Sequence, residues 1–160
     1  MTPTSDLCDK HGGAIRVLES DFGSYGGLSS FRGRVSTLSV FEDNTLVRYA
    51  LAEHGEGRVL VIAGGGSHQC ALVGGNLGAL AANNGWAGIV VDGCVRDIEE
   101  LRLSAVGVRA LGTCPRRSAK KGLGDRDVAV NVAGVVITPE MWLWADEDGI
   151  VVADENLEEI

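Results

Sequence analysis

The stretch Val73–Asp97, VGGNLGALAANNGWAGIVVDGCVRD, holds the residue types best suited to chemistry. Arg96 and Asp97 follow the apolar run Ala87–Asp92, which predicts a strand buried on both faces. In open α/β sheets, ligands bind beyond the carboxyl ends of strands. A guanidinium placed there can fork a carboxylate or carbonyl oxygen, and a carboxylate can ligate a divalent cation. Gly74, Gly75, Asn76 and Leu77 fall at a predicted helix start. Glycine lets backbone approach a ligand closely, and Asn76 as N-cap would turn the next amides toward an anion. The combination predicts a carboxylate cradle beside an arginine and a metal-binding aspartate. The plainer alternative is a surface pair in which Asp97 caps the helix after it.

Other candidates carry weaker signals. His68 and Cys70 are close in sequence but lack further metal ligands of matching spacing, so they predict structural residues. Gly64-Gly65-Gly66 lacks the spacing and lysine of a phosphate-binding loop and predicts a tight turn. No Gly-x-Ser-x-Gly elbow is present, which argues against a serine hydrolase. Arg116, Arg117, Lys120 and Lys121 form a basic loop, either solvated or in contact with an anion or an interface. Asp92 and the Asp146-Glu147-Asp148 turn are reserve carboxylates, the latter more simply a solvated turn. Trp142 and Trp144 alternate, so one face of their segment is buried in the core or between subunits.

The elements that must position these residues can be read along the chain. Thr4–His11 predicts a helix capped by Thr4 or Ser5, and Phe22–Phe31 a glycine-rich loop. Gly33–Phe41 predicts a strand, Asn44–His54 a helix with Val47, Ala50 and Leu51 on one face, and Arg58–Ala63 a buried strand. Gln69–Asn84 predicts a helix interrupted at Gly74-Gly75. Gly93–Asp97 predicts a turn, Ile98–Ser104 a short helix and Val108–Gly112 a strand. Val128–Thr138 predicts a hairpin around Gly134, and Gly149–Ala153 a last strand. Strands alternating with helices imply a βαβ core. The helix-poor later segments argue for a layered α/β domain with a mixed sheet, spanning residues 1–160 as one unit.

Composition narrows the function classes. The chain has 160 residues and a formal net charge of −8, from 22 acidic and 14 basic residues. That field repels nucleic acid and anionic membranes, while one local arginine can still dominate a small pocket. No apolar run reaches the roughly 20 residues of a membrane span, and the N-terminus has no signal-like apolar stretch. Cys8, Cys70, Cys94 and Cys114 form no CxxC pair. They predict free thiols in a reducing, cytoplasmic setting.

The GGNL run followed by GCVRD resembles the RraA-like family, which includes 4-hydroxy-4-methyl-2-oxoglutarate aldolases and the regulator of ribonuclease activity A. FEDN at 41–44, RVLVIAGGGS at 58–67, GTCPR at 112–116 and ADEDGIVV at 145–152 extend the resemblance over nearly the whole chain. The resemblance implies a layered β/β/α fold of the swivelling-domain type. It implies that backbone at Gly74, Gly75, Asn76 and Leu77 cradles the pyruvyl part of a 2-oxo acid, that Arg96 contacts the substrate and supports the enolate, and that Asp97 ligates Mg2+ or Mn2+. It further implies oxaloacetate decarboxylation through the same enolate, and assembly as a homotrimer or a dimer of trimers. Two departures stand out: Gly75 replaces an acid found in characterised aldolases, and Pro139-Glu140-Met141 replaces a Pro-Gly-Asp turn.

The residue types agree with that chemistry. Cleaving a carbon–carbon bond beside a carbonyl leaves a carbanion that must be delocalised. No lysine lies between Gly64 and Asp97 to form a Schiff base, so a Lewis-acid metal is the alternative. The competing reading is a non-catalytic protein that binds and inhibits a ribonuclease E-type enzyme, its acidic surface covering a basic partner. A quinone methyltransferase finds no support, because the glycines form no S-adenosylmethionine site with an acidic ribose partner.

Overall fold

The computed structural model describes residues 1–19 and 21–158. Among them are helices α1 (Thr4–His11), α2 (Thr45–Leu51), α3 (Gly75–Asn83) and α4 (Ile98–Leu101). The strands are β1 (Arg16–Val17), β2 (Gly23–Ser24), β3 (Phe31–Ser39), β4 (Val59–Ala63), β5 (Ala71–Val73) and β6 (Gly88–Val95). They continue with β7 (Gly107–Thr113), β8 (Asp125–Arg126), β9 (Val130–Val132), β10 (Val135–Ile137), β11 (Trp142–Asp146) and β12 (Gly149–Ala153).

The sheet is mixed, in the order β1-β12-β11-β3-β4-β6-β7-β2, with β5 added to β6 and β8 to β3. Strand β3 joins its two halves. Phe31–Arg34 pair antiparallel with β11, and Val35–Ser39 pair parallel with β4. Strands β3, β4, β6 and β7 are mutually parallel. Their connections run through α2, α3 and α4, as parallel pairing requires a crossover.

Side-chain alternation then builds the layers. On β4, Leu60 and Ile62 face a core shared with Val47, Leu51, Leu77 and Leu101 of the helices. Val59 and Val61 face the opposite way, into a second core with Ile137, Leu143 and Val152. Both faces are covered, which explains the unbroken apolar run of this strand. A third cluster seats Leu7 of α1 on Trp144 and Val151. Trp142 and Trp144 therefore belong to one packed face, and Trp144 is fully buried with its Nε1 donating to Glu158 at 2.8 Å.

Several sequence expectations change. Residues 69–84 are not one interrupted helix: Ala71–Val73 form β5, paired parallel with Cys94 and Val95, and helix begins only at Gly75. Tertiary pairing overrides local propensity there. Gly93 and Cys94 are not a turn but strand, because β6 has partners on both sides until Val95. The segment 142–146 is a strand between β12 and β3, and short strands β1, β2 and β8 also escape the sequence patterns. Helix α1 has the predicted bounds but not the predicted cap. Thr4 follows N-cap Pro3, and Asp146 accepts from the Thr4 amide at 2.8 Å and from its hydroxyl at 2.7 Å.

Phe31 shows how tightly the layers meet. Its ring lies against Gly88 and Gly107, which are register partners on β6 and β7. A Cβ at either glycine would clash with carbons of the ring edge, Cδ2 and Cε2 from Gly88 and Cδ1 and Cε1 from Gly107. Gly88→Ala is expected to destabilise the fold by about 1–3 kcal/mol through overpacking. Urea unfolding of the variant against wild type checks this, and an unchanged midpoint would contradict the packing described.

Candidate functional site

Strands β5, β6 and β7 all end on one side of the parallel sheet, and the loops that leave them meet there. Val73 leads into Gly74, Val95 into Arg96 and Asp97, and Thr113 into the basic loop. Backbone bonds tie these exits together. The Arg96 amide donates to Val73 at 3.0 Å, and the Cys114 amide donates to Val95 at 3.1 Å. A cleft opens between them, lined by Gly74, Asn76, Leu77, Arg96 and Asp97, with Asn44, Arg48, Arg117, Ser118 and Lys120 on the remaining walls.

The sequence-predicted residues are thus brought together, with one change of role. Asn76 is not the N-cap of α3; Gly74 is, in extended conformation, and its carbonyl accepts the first helical bond from Gly78 at 3.0 Å. The Gly75 amide is capped from another loop, donating to Asp97 Oδ2 at 3.0 Å. The amides of Asn76 and Leu77 precede the first helical bond, so they have no intrahelical acceptor and lie at the positive end of α3. Leu77 is buried in the core and also borders the cleft.

Asp97 occupies the N-cap position of α4 but does not cap it with its side chain. Its φ of 59° is left-handed, a conformation Asp tolerates better than most residues. One carboxylate oxygen is engaged with Gly75, and the other makes no hydrogen bond among the described residues. Arg96 Nη1 donates to the Pro115 carbonyl at 3.2 Å, anchoring the guanidinium to the loop after β7. Both side chains pack on Gly74: a Cβ there would lie 2.7 Å from Asp97 Oδ2 and 3.4 Å from Arg96 Cγ.

Gly75 is equally constrained. A Cβ there would overlap the carboxylate of Glu100 and come within 2.8 Å of its Cβ. A carboxylate therefore stands over the start of α3, contributed by α4. The reserve carboxylates considered from sequence lie elsewhere. Asp92 lines a separate depression with Phe41 and Leu123, where burial raises its pKa. Asp146 is occupied with Thr4. His68 Nδ1 lies 3.0 Å from the Gly66 carbonyl, and no group of three metal-ligating side chains forms among the described residues.

The residues missed from sequence are Asn44, Arg48, Ser118 and Glu100. Asn44 and Arg48 are spaced as neighbours on one helical face, a signal the sequence carried. The basic loop divides in two. Lys120 lines the cleft, Arg116 borders another depression, and Arg117 lies between the two and lines both. Asp43 holds this loop. Its buried carboxylate accepts from the Thr45 amide and hydroxyl at 3.0 and 2.8 Å, and from the amides of Lys121 and Leu123 at 2.7 and 3.4 Å.

The divalent cation that the sequence resemblance implies can be tested against these residues. Mg2+ commonly takes one or two carboxylates and completes its shell with water and substrate oxygens. The outward oxygen of Asp97 supplies one such ligand, so the residues fit an ion completed by substrate rather than an all-protein cage.

Asp43 makes the loop's anchorage sensitive to pH. Burial pushes its pKa up, but the bonds from Thr45, Lys121 and Leu123 outweigh burial and lower it from 3.8 to about 2. The folded pKa lies below the unfolded one, so the contribution is complete above pH about 4 and disappears as pH falls toward 2. Asp43→Asn should cost about 2 kcal/mol at pH 7, with the gap to wild type closing over that acid window. Denaturant unfolding across pH checks it; a gap independent of pH would contradict the assignment.

Comparison with known proteins agrees with this architecture. The family model RraA-like, described as Aldolase/RraA, matches residues 4–152. A Burkholderia multivorans protein named "Putative 4-hydroxy-4-methyl-2-oxoglutarate aldolase" is 58% identical over 159 residues, covering 96% of this chain and 97% of that protein. An Alkalilimnicola ehrlichii protein of the same name is 56% identical over 155 residues, covering 97% and 96%. The solved structure of the RNA-processing inhibitor RraA from Thermus thermophilis superposes with a TM-score of 0.96 at 48% identity, covering 100% of this chain and 97% of that one. A Geobacillus kaustophilus structure titled S-adenosylmethionine: 2-dimethylmenaquinone methyltransferase also gives 0.96, at 45% identity and 98% and 97% coverage. With matches of this extent and the cleft where the strand ends converge, the chain belongs to the RraA-like family.

Proposed function

We propose that the protein is a divalent-metal-dependent carbon–carbon lyase that cleaves 4-hydroxy-4-methyl-2-oxoglutarate to two pyruvates and also decarboxylates oxaloacetate. The observation that carries this reading is the cleft itself. Asp97, Arg96 and the open amides of Asn76 and Leu77 converge on a surface that Gly74 leaves bare. The names of the relatives at 58% and 56% identity support the aldol cleavage.

The substrate's 2-oxo acid end lies against the amides of Asn76 and Leu77, which the α3 dipole makes favourable for a carboxylate. Arg96 faces the 2-oxo oxygen, where negative charge develops as the C3–C4 bond breaks. The bond's electron pair passes to C3, giving the enolate of one pyruvate. The C4 hydroxyl gives up its proton and becomes the carbonyl of the second pyruvate, and a proton returns to C3. Asp97 would hold the cation, Mg2+ or Mn2+, which supplies Lewis-acid polarisation of the 2-oxo acid when bound. Glu100 stands against Gly75 and brings a further carboxylate to the start of α3. In oxaloacetate the same enolate forms as CO2 leaves.

The cleft of one chain encloses only about 70 Å³. A typical ligand pocket measures roughly 300 Å³ or more. The proposal therefore includes assembly as a trimer or dimer of trimers that completes the walls. Exposed Phe41, Tyr49 and Leu123 supply apolar surface for such contacts.

A second reading, inhibition of a ribonuclease E-type enzyme, is favoured by the RNA-processing inhibitor at 48% identity. The two part on turnover. Wild type should release pyruvate from 4-hydroxy-4-methyl-2-oxoglutarate with Mg2+ or Mn2+ and stop on chelation. Asp97→Ala and Arg96→Ala should each lower kcat by about 10²–10³-fold. Equal rates in wild type and variants, or rates indifferent to chelator, would sink the lyase reading.

A further inference from the structure

We propose that Cys70 and Cys114 form a thiol pair that a peroxide oxidises to a disulfide, and that closing it releases Arg96 from its anchor. Three of the four cysteines lie within two residues of one rung of the sheet. Ala71 on β5, Cys94 on β6 and Gly112 on β7 are register partners. Cys70 comes one residue before that rung, and Cys114 two residues after it. The chain beyond Cys114 returns to β5, where the Ala71 amide donates to the Arg116 carbonyl at 2.8 Å. One hydrogen bond therefore ties the neighbour of Cys70 to the residue two beyond Cys114. Burial pushes the Cys70 thiol up, and the charges of Glu42, Cys114 and Cys94 add to the rise, as groups gathered in one neighbourhood do. All three are free thiols. Cys8 stands apart, in the α1 layer with Leu7 and Trp144.

Exposure divides the roles. Cys114 is partly exposed, so a peroxide reaches its sulfur, whereas Cys70 and Cys94 are buried. The Cys114 sulfur takes one peroxide oxygen, the O–O bond breaks, and water leaves behind a sulfenic acid. The Cys70 sulfur then displaces that oxygen as a second water, and the S–S bond forms. Two thiols give up two electrons and two protons, and one peroxide becomes two waters. Reach selects Cys70 over Cys94. A disulfide needs Cα atoms within about 7 Å. A two-residue offset between neighbouring strands sets Cys94 and Cys114 roughly 8 Å apart, and Cys94 is paired on both sides. Cys70 precedes the paired part of β5 and lines an open depression with Gln69, Arg116 and Arg117, which leaves it room to move. The link to the cleft is Pro115. Its carbonyl accepts from Arg96 Nη1 at 3.2 Å, and the Cys114 amide donates to Val95 at 3.1 Å. Drawing Cys114 toward Cys70 pulls Pro115 away from the guanidinium.

Intact mass and non-reducing peptide mapping after hydrogen peroxide treatment check the bond. Wild type should lose about 2 Da, the mass of two hydrogens, yield a Cys70–Cys114 peptide, and regain its mass with dithiothreitol. Cys114→Ala and Cys70→Ala should each abolish the loss, and Cys8→Ala and Cys94→Ala should keep it. The mapping is made on wild type, so it decides even where a buried variant fails to fold. An unchanged mass, a link through Cys94, or added oxygen in place of the loss overturns the pair. The release of Arg96 rests on the lyase reading and is read separately. Pyruvate release should fall by about tenfold or more on oxidation, the scale of displacing a positioning group by about 1 Å, and recover with dithiothreitol. Cys114→Ala should be indifferent to peroxide. A mapped disulfide with unchanged turnover overturns the release of Arg96. A mapped disulfide in a protein that never releases pyruvate overturns the lyase reading and leaves the pair standing.

Discussion

The bond from the Gly75 amide to the Asp97 carboxylate sets the geometry on which the rest of the site depends. It links the loop after β5 to the loop after β6 at 3.0 Å. The Arg96 amide, bonded to Val73 at 3.0 Å, already joins the backbones of these loops, and the carboxylate bond adds the orientation of the Asp97 side chain. With it, one carboxylate oxygen serves the fold and the other faces the cleft. The two glycines are the counterpart of this bond. Side chains at Gly74 or Gly75 would displace Asp97 or Glu100 respectively. The same contact thus explains why backbone, and not side chain, forms the cleft floor.

Charge is distributed with a similar division. The chain carries a net charge of −8, and Arg16, Arg32, Arg34 and Arg126 outside the cleft are neutralised by neighbouring acids. Among the described residues the cations of the cleft form no ion pair, and the start of α3 stands behind them. Cationic concavities with low-dielectric walls concentrate anions even on a protein of opposite overall charge. The buried Asp43 is part of this arrangement, since an ionised carboxylate beneath the basic loop fixes where those cations can stand.

Much of this was legible in the sequence, and the exceptions have a common cause. The bounds of α1, the buried strands, the hairpin around Gly134 and the layered mixed sheet follow from apolar patterning and turn residues. Gly74, Gly75, Asn76, Leu77, Arg96 and Asp97 line or border one place, as their position at strand ends implied. What failed was anything decided by distant partners. Ala71–Val73 is strand because Cys94 and Val95 pair with it. Helices α1 and α3 take their caps from Asp146 and Asp97, 142 and 22 residues away in sequence. Capping rules that look only at neighbouring residues could not see either. Asn44 and Arg48 were missed for the same reason, since their relevance lies in facing a loop that follows much later.

Phe31 against Gly88 and Gly107 has a consequence for how this sequence can diversify. The three positions come from three strands, yet each limits the others. A larger residue at either glycine becomes tolerable only after the aromatic ring has shrunk, and a shrunken ring leaves a void that one methyl group cannot fill. Single replacements along that route pass through weakened intermediates, so the trio behaves as a coupled unit of inheritance. Descendants of this fold should exchange the aromatic ring and the two bare strand positions together or keep all three.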